Sequence, residues 1–547
     1  MSSEEPAGAI WSSVIATLDQ DPRDGLNTAR ECCERYASDR GRMALVVCHP
    51  DGRSERWTYF ELARESARAA RMFASMGLRR GDRVAAVVSR TVEAWICALA
   101  AWRSGLVYVP LFYGFGSEAL LARLRPAEAS ALVVDHRWRD TVEDARGALS
   151  DDLPIITIAG PRGSGVRHGD RSFWAEMEHS APDGPAVATA AGDVATMLFT
   201  SGTASAPKGC LMPHSGFVSL IPFVRHCFAL GRSDLLFSTS DPGWAYGLYT
   251  CGCVPMSLGI PRVIYSGDFD PVAWLNTIEA EQATYIAAAP SAYRKLLAKA
   301  RRSGVPSCLR GATSAGEPLD ADTVDGWRDV TGTVIRDGYG LSEVGMVLAN
   351  LAAPESPLVP GALSSVVPGF DVVLVEPDGT PVPDGQEGII AVRRPPFQLS
   401  RGYNNNAVAW DARWVDDLFL TDDLARRDDQ GLWWFTGRAD DIIVTSGYNV
   451  GPVEVESVLL DHPGVAEAAA VAAPDPARGS IVRAVVVPSP DAPPRETLTR
   501  ELQDAVRGRV GRHAYPRIVD YVDALPRTVT GKLRRADLRR QSQTTSA

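Results

Sequence analysis

The run Thr200-Ser201-Gly202-Thr203-Ala204-Ser205-Ala206-Pro207-Lys208-Gly209 puts hydroxyl side chains, two glycines and a lysine in one loop, directly after the apolar segment VATMLF. Backbone N–H groups, hydroxyls and a cation gathered behind a strand can wrap the oxygens of a phosphate chain. The Gly-Lys-Ser/Thr order of the P-loop is absent, so the loop is not of that class. A polar turn could carry similar residues, but the lysine argues for chemistry. Only four of the 56 Lys and Arg residues are lysine: Lys208, Lys295, Lys299 and Lys532. A chain that writes arginine almost everywhere keeps lysine where a compact ammonium serves better than a planar fork. Lys295 and Lys299 stand four apart in YRKLLAKARR and read as a solvated helix face. Lys208 and Lys532 stand in glycine-containing loops.

Three further runs carry reactive types. Asp337-Gly338-Tyr339-Gly340-Leu341-Ser342-Glu343 sets an aromatic ring and a carboxylate four residues apart. A tyrosine can stack on a base, and a glutamate can hold a hard Mg²⁺ that bridges phosphates; alone, the run reads equally well as an ordinary loop. Thr421-Asp422-Asp423 and Gly437-Arg438-Ala439-Asp440-Asp441 offer an acid for ribose hydroxyls and an arginine for phosphate. Pro526-Arg-Thr-Val-Thr-Gly531-Lys532 is a flexible loop ending in the last lysine. His214 and the pair Cys251 and Cys253 read as packing residues, since no matching ligand pair lies nearby.

These runs need elements to hold them. From Trp57 to Asp135, helical-period segments alternate with β-branched runs (RVAAVVS, VYVPL, ALVVD), which predicts βαβ units and a parallel sheet. After VATMLF a second such stretch follows, through RVIYS, ATYIAAAP and LRGATSAG with helices between them. Beyond about Gly345, short β runs and Asp-Gly turns predict a small antiparallel, barrel-like unit. An α+β pattern of about 100 residues begins at Asp441, and the tail QSQTTSA reads as frayed.

At 547 residues the chain has room for about three to four domain-sized units. Its composition, 45% hydrophobic and 22% charged, is that of a folded protein. The net charge of −11 runs against nucleic-acid binding. The N-terminus lacks a basic segment, and the most apolar stretch, Trp95 to Trp102, is far shorter than the roughly 20 residues of a spanning helix. Nine scattered cysteines suggest reduced thiols and a cytoplasmic protein without integral membrane association.

Taken in order, the motifs resemble those of the adenylate-forming superfamily over about residues 30–540, and within it medium-chain and aryl acyl-CoA synthetases: DPGWAYGLY is similar to the former, and GYNVGPVEVESVLLDHPGVAEAAAV with PRTVTGKLRR to the latter. The resemblance implies an α/β fold. A large N-terminal domain (1–436) would hold two doubly wound α/β subdomains and the barrel-like one. A hinge at 437–440 about Asp440, a mobile α+β domain (441–541) and a disordered tail (542–547) would follow. It implies ATP, Mg²⁺ and CoA as cofactors. Thr200, Ser201, Gly202, Thr203, Lys208 and Gly209 would grip the phosphates. Gly316, Glu317, Asp337 and Tyr339 would take the adenine, and Asp423 and Arg438 the ribose and phosphate. Glu343 would hold Mg²⁺, Lys532 would drive adenylation, and Gly447 and Tyr448 would line the CoA tunnel. Trp244 and Gly340 would border the acyl pocket. Acetate-specific relatives carry a tryptophan at the position of Gly340, so the glycine implies an acid larger than propionate.

The expected activity is ATP-dependent conversion of a carboxylic acid to an acyl-adenylate with release of pyrophosphate, then thioester formation with CoA, by a monomer or homodimer. Asn449 stands where several CoA-using relatives have arginine, so the alternative is transfer to a carrier protein, an amine or another small nucleophile. Two positions depart from the family pattern. Ala204 replaces a loop hydroxyl, and Asp422 replaces a glycine and sets a second carboxylate beside Asp423.

Overall fold

A computed structural model of the protein describes residues 7–544 except 148, 151, 161–162, 183, 201–206, 239, 318, 354–355, 439–440, 442, 446–447, 476–478, 511–513 and 528–532. Its contacts divide the chain into two compact units. The first takes the described residues up to Thr200, then Ala206–Asp371 and Arg394–Ala412; the second takes Val372–Arg393 and Arg413–Ala547.

The first unit holds two large sheets. One has seven strands in the spatial order Arg171–Ser172, Ile155–Ile158, Ala131–Asp135, Arg83–Val87, Val107–Leu111, Val194–Phe199 and Gly209–Pro213, parallel except for the last pair. The other has nine: Ser365–Val366, Gly345–Ala349, Ile335–Leu341, Gly311–Ala315, Tyr285–Ala288, Leu236–Ser238, Arg262–Tyr265, Met43–Cys48 and Ser54–Thr58. Its middle is parallel and both edges are antiparallel. The predicted βαβ alternation is therefore present in both. The apolar stretch at Trp95 belongs to the helix Val92–Arg103, buried almost all round, as a short apolar helix inside a protein should be. The change of character expected at Gly345 comes later. Gly345–Ala349 continues a hairpin from Ile335–Leu341, and the edge of the nine-stranded sheet takes it up before the small sheet begins.

The second unit contains an antiparallel sheet of Val372–Val375, Glu387–Arg393, Leu418–Arg427 and Trp414–Val415, with Trp433–Arg438 paired to Leu418–Arg427. An α+β region follows, with the sheet Val465–Asp475, Gly479–Pro488 and Ile518–Tyr521. The boundary expected at 436/437 falls inside this unit. The last helix runs Arg535–Thr544, so the first three residues of the expected tail are helical. Its Leu538 is buried with Ala469, Val471 and Val485 of the sheet, which ties the helix down.

Candidate active site

In the first unit the phosphate-loop sequence joins two antiparallel strands, with Phe199 opposite Gly209. The Thr200 N–H donates to the Lys208 carbonyl at 2.9 Å, closing the neck of the loop. A Cβ on Gly209 would meet the Met197 Sδ at 3.0 Å, so the strand packs closely here against a flexible side chain. Ser201, Gly202, Thr203 and Ala204 lie outside the described residues. Lys208 Nζ sits 5.1 Å from the ring centroid of Tyr403.

Glu343 lies in the turn of the Ile335–Leu341/Gly345–Ala349 hairpin and is buried, 6% exposed. The Tyr403 hydroxyl donates to its Oε1 at 2.7 Å. Lys208 and Glu343 therefore meet at one buried tyrosine. Sequence reasoning missed Tyr403, although Arg-Gly-Tyr-Asn-Asn, an aromatic among turn residues, was the signal available. Gly340 has a reason of its own: a Cβ there would lie 2.1 Å from the Gly345 carbonyl oxygen across the hairpin. Any larger residue requires the hairpin to shift, so pocket size is not the sole demand on this glycine.

The residues expected around adenine come from adjacent parallel strand ends, where Ser314 pairs with Asp337 and Ala315 with Gly338. Ligands of open α/β sheets bind at such carboxyl ends. Gly316 has φ +94°, a conformation that favours glycine. Glu317 Oε1 accepts from the Ser291 hydroxyl at 3.3 Å. Tyr339 is half-buried. The Asp337 N–H donates to Asn350 Oδ1 at 2.9 Å, while its own Oδ1 is buried without a partner, as are the hydroxyl oxygens of Thr313 and Ser314. Orphaned polar atoms of this kind mark places where water or a ligand completes the bonding.

Burial pushes the Asp337 carboxyl up to about 8. Between the ordinary carboxylate range and that pH, the unfolded side chain is ionised while the folded one keeps its proton. Unfolding then releases a proton, and stability falls as pH rises through this window. Asp337→Asn removes the slope. Its melting temperature is expected to exceed that of the wild type by a few degrees at pH 8, the gap closing toward pH 4; a gap independent of pH would refute the assignment. His214 is the opposite case. Fully buried, its Nδ1 accepts from the Thr28 N–H at 3.1 Å, and burial lowers its pKa to about 4. It is a neutral packing histidine, as the sequence suggested.

Trp244 is half-buried and packs on Phe112 and Phe115, ring centroids 5.7 and 6.0 Å away, where it joins the core of the seven-stranded sheet. Three residues before it, Asp241 is buried with Oδ1 accepting from the Gly243 N–H at 2.7 Å and Oδ2 unpartnered. Burial raises this carboxyl to about 6. A π-helix, Tyr246–Cys253, follows at once; such wide turns recur at functional sites, and no periodicity announced this one. Cys251 and Cys253 lie within it, buried and unpaired.

In the second unit, Asp423 stands directly across the ladder from Arg438, whose Nη1 donates to its Oδ1 at 3.0 Å. The two residues expected at ribose and phosphate are thus neighbours. Asp422 adopts φ +62°, a conformation that favours glycine and is tolerable for aspartate. Its carboxylate is ion-paired with Arg413, so the extra negative charge has its own cation. Arg413→Ala is expected to raise the KM for ATP about threefold to tenfold by exposing Asp423 to that charge. The double variant with Asp422→Gly should return to the wild-type value in pyrophosphate exchange, and no recovery would sink the compensation. The backbone of Tyr448 pairs with Thr445; Asp440, Gly447 and Lys532 lie outside the described residues.

Among the described residues no cluster of three or more His, Cys, Asp or Glu forms a metal site. A single buried carboxylate nevertheless suits Mg²⁺, which binds through one or two carboxylates together with phosphate oxygens and water. Glu343, with one oxygen held by Tyr403, has the chemistry such a site would ask for. No described helix is long and apolar enough to cross a membrane.

Comparison with known proteins places the chain in a family. The family model for AMP-binding enzymes matches residues 33–404, and that for the AMP-binding enzyme C-terminal domain matches 454–532. The mitochondrial acyl-coenzyme A synthetase ACSM5 of Mus musculus is 34% identical over 505 residues, 90% of this chain and 85% of its own. Human ACSM4 is 34% identical over 526 residues, 93% and 88% of the two chains. A crystal structure of a Brucella canis acyl-CoA synthetase is similar at 33% identity and TM-score 0.76 over 98% of both chains. The anthranilate CoA ligase AuaEII, solved with anthranoyl-AMP, is similar at 25% identity and TM-score 0.87, over 96% of this chain and 98% of its own.

Proposed function

The chain belongs to the AMP-binding enzyme family, and from that premise we propose that it is an acid–CoA ligase acting on a medium-chain or aryl acid larger than propionate. The observation that carries the reading is the convergence of Lys208 and Glu343 on Tyr403. It brings a cation and a buried carboxylate to the neck of a loop suited to phosphates.

The acid's carboxylate oxygen bonds to the α-phosphorus of ATP, and the bond to pyrophosphate breaks. Like charges must approach for this to happen, so catalysis is largely positioning and charge stabilisation. Lys208 and the N–H groups of its loop hold the phosphate tail. Glu343 would hold Mg²⁺, which would supply positive charge to offset that of the phosphates. Lys532 stabilises the charge on the α-phosphate and the incoming carboxylate. Asp423 takes the ribose hydroxyls, Arg438 steadies that aspartate and the phosphate, and Tyr339 stacks on the base. In the second half-reaction the CoA sulfur bonds to the acyl carbon, the bond from that carbon to the AMP phosphate oxygen breaks, and the thiol proton passes to solvent as AMP leaves. Rotation of residues 441–541 about Asp440 would bring the Gly447 and Tyr448 segment up in place of Lys532.

The likeness to a ligase solved with anthranoyl-AMP and to acyl-coenzyme A synthetases supports an aryl or medium-chain acid. Nine unpaired cysteines support a reducing compartment, here the cytoplasm. The test is pyrophosphate release with MgATP across aliphatic and aryl acids, with and without CoA, scored by product mass. Acyl-CoA from acids longer than propionate is expected. Arrest at the acyl-adenylate in the presence of CoA would overturn the acceptor, and preference for acetate would overturn the pocket.

A further inference from the structure

The segment around Tyr403 is built as a clip. The chain leaves the first unit after Asp371 and returns to it for Arg394–Ala412. There it runs along the strand that leaves the phosphate loop: the Arg401 N–H donates to the Leu211 carbonyl, the Leu211 N–H to the Gly402 carbonyl and the Asn404 N–H to the Gly209 carbonyl, at 2.8, 2.8 and 2.7 Å. Cys210 and Tyr403 form the bridge pair between them. At its other end the Ser400 N–H donates to the Glu343 carbonyl at 3.2 Å. Asn404 is anchored in turn, its amide donating to the Pro126 carbonyl at 2.8 Å and its oxygen accepting from Arg83 at 3.1 Å. The Tyr403 ring, 5% exposed, meets Trp410 edge-on at 5.2 Å. Backbone and packing together leave that ring little freedom.

Its two chemical handles then point to different partners. The hydroxyl donates to Glu343 Oε1, and the ring lies beside the Lys208 ammonium. A hydrogen bond to a buried carboxylate fixes which oxygen stays available, and a ring attracts a nearby ammonium. We propose that Tyr403 is a positioning residue: its hydroxyl orients Glu343 toward Mg²⁺, and its ring holds Lys208 ready for the phosphate tail of ATP. The two functions are separable because one needs the oxygen and the other only the ring. The proposal rests on the reading of Glu343 as the Mg²⁺ carboxylate.

Tyr403→Phe keeps the ring and loses the hydroxyl; Tyr403→Leu loses both. With the full-length protein, pyrophosphate exchange is measured against Mg²⁺ concentration, and ATP binding without metal, in EDTA, is measured by calorimetry. Thermal melts check that each variant is folded. Tyr403→Phe is expected to raise the half-saturating Mg²⁺ concentration about tenfold, the scale of one hydrogen bond to a charged group, with metal-free ATP binding unchanged. Tyr403→Leu is expected to weaken metal-free ATP binding about fivefold as well. Glu343→Gln is the reference. If it shifts the Mg²⁺ dependence and folded Tyr403→Phe does not, the positioning role is overturned while the reading of Glu343 stands. If Glu343→Gln leaves the dependence unchanged, that reading fails and takes the proposal with it. Equal metal-free ATP binding by the Phe and Leu variants overturns the lysine half.

Discussion

Lys532→Ala is expected to slow acyl-adenylate formation by about two to three orders of magnitude, the usual cost of removing one preorganised charge-stabilising group. The same variant should convert a preformed acyl-adenylate and CoA to thioester within about threefold of the wild-type rate. The asymmetry follows from the chemistry. Only in the first half-reaction does an anionic carboxylate close on a phosphate, and only there is an added cation worth so much. Lysine is rare in this chain, and Lys532 follows a glycine in the sequence Thr-Gly-Lys, the context in which a compact ammonium is expected to serve the adenylation step. Pyrophosphate exchange reports the first half-reaction, and thioester release from synthetic adenylate reports the second. Equal losses in both would mean that Lys532 acts through the fold rather than the adenylation step.

Glu343→Gln is expected to lower the overall rate by about a hundredfold to a thousandfold and to raise the Mg²⁺ requirement by about tenfold or more. The substitution conserves volume, and the side-chain oxygen can still accept from Tyr403, so the hairpin and clip should persist. What disappears is the negative charge. Titrating Mg²⁺ at fixed ATP separates the two effects: a rate that recovers at high Mg²⁺ marks lost metal affinity, and one that does not marks lost transition-state stabilisation. A variant with wild-type Mg²⁺ dependence would remove Glu343 from the metal. Replacement by alanine is a harsher test, since it also leaves the buried Tyr403 hydroxyl without its acceptor.

The parallel sheets were legible because alternating β-branched and helical-period runs are local signals, and Arg83–Val87, Val107–Leu111 and Ala131–Asp135 pair as those runs predict. Scarcity made Lys208 conspicuous, and the neck bond at Thr200 agrees with the loop read there. Asp423 and Arg438 could be chosen singly, but their cross-strand register could not be. Tyr403 escaped notice because its value lies in partners 60 and about 195 residues away in sequence, and no local pattern encodes such a meeting. Gly340 was read through an absent side chain, whereas the structure shows a carbonyl already occupying that space. The second carboxylate at Asp422 is conspicuous in the sequence, but its partner Arg413, nine residues away, is not. The π-helix Tyr246–Cys253 was invisible because a segment without charges and buried almost all round has no polar face to betray its period.

The return of Arg394–Ala412 to the first unit also bears on how the chain can be made and cut. The strand Gly209–Pro213 ends its seven-stranded sheet, and the side away from Val194–Phe199 is covered by residues 401–404. During synthesis that edge stays bare until nearly two hundred further residues have left the ribosome. An uncovered strand edge is a template for pairing with another chain. A fragment ending at residue 371 would lack residues 401–404 and present this edge permanently, so it is expected to self-associate. The edge of this sheet is therefore completed only by residues that follow the departure of the chain for Val372–Arg393.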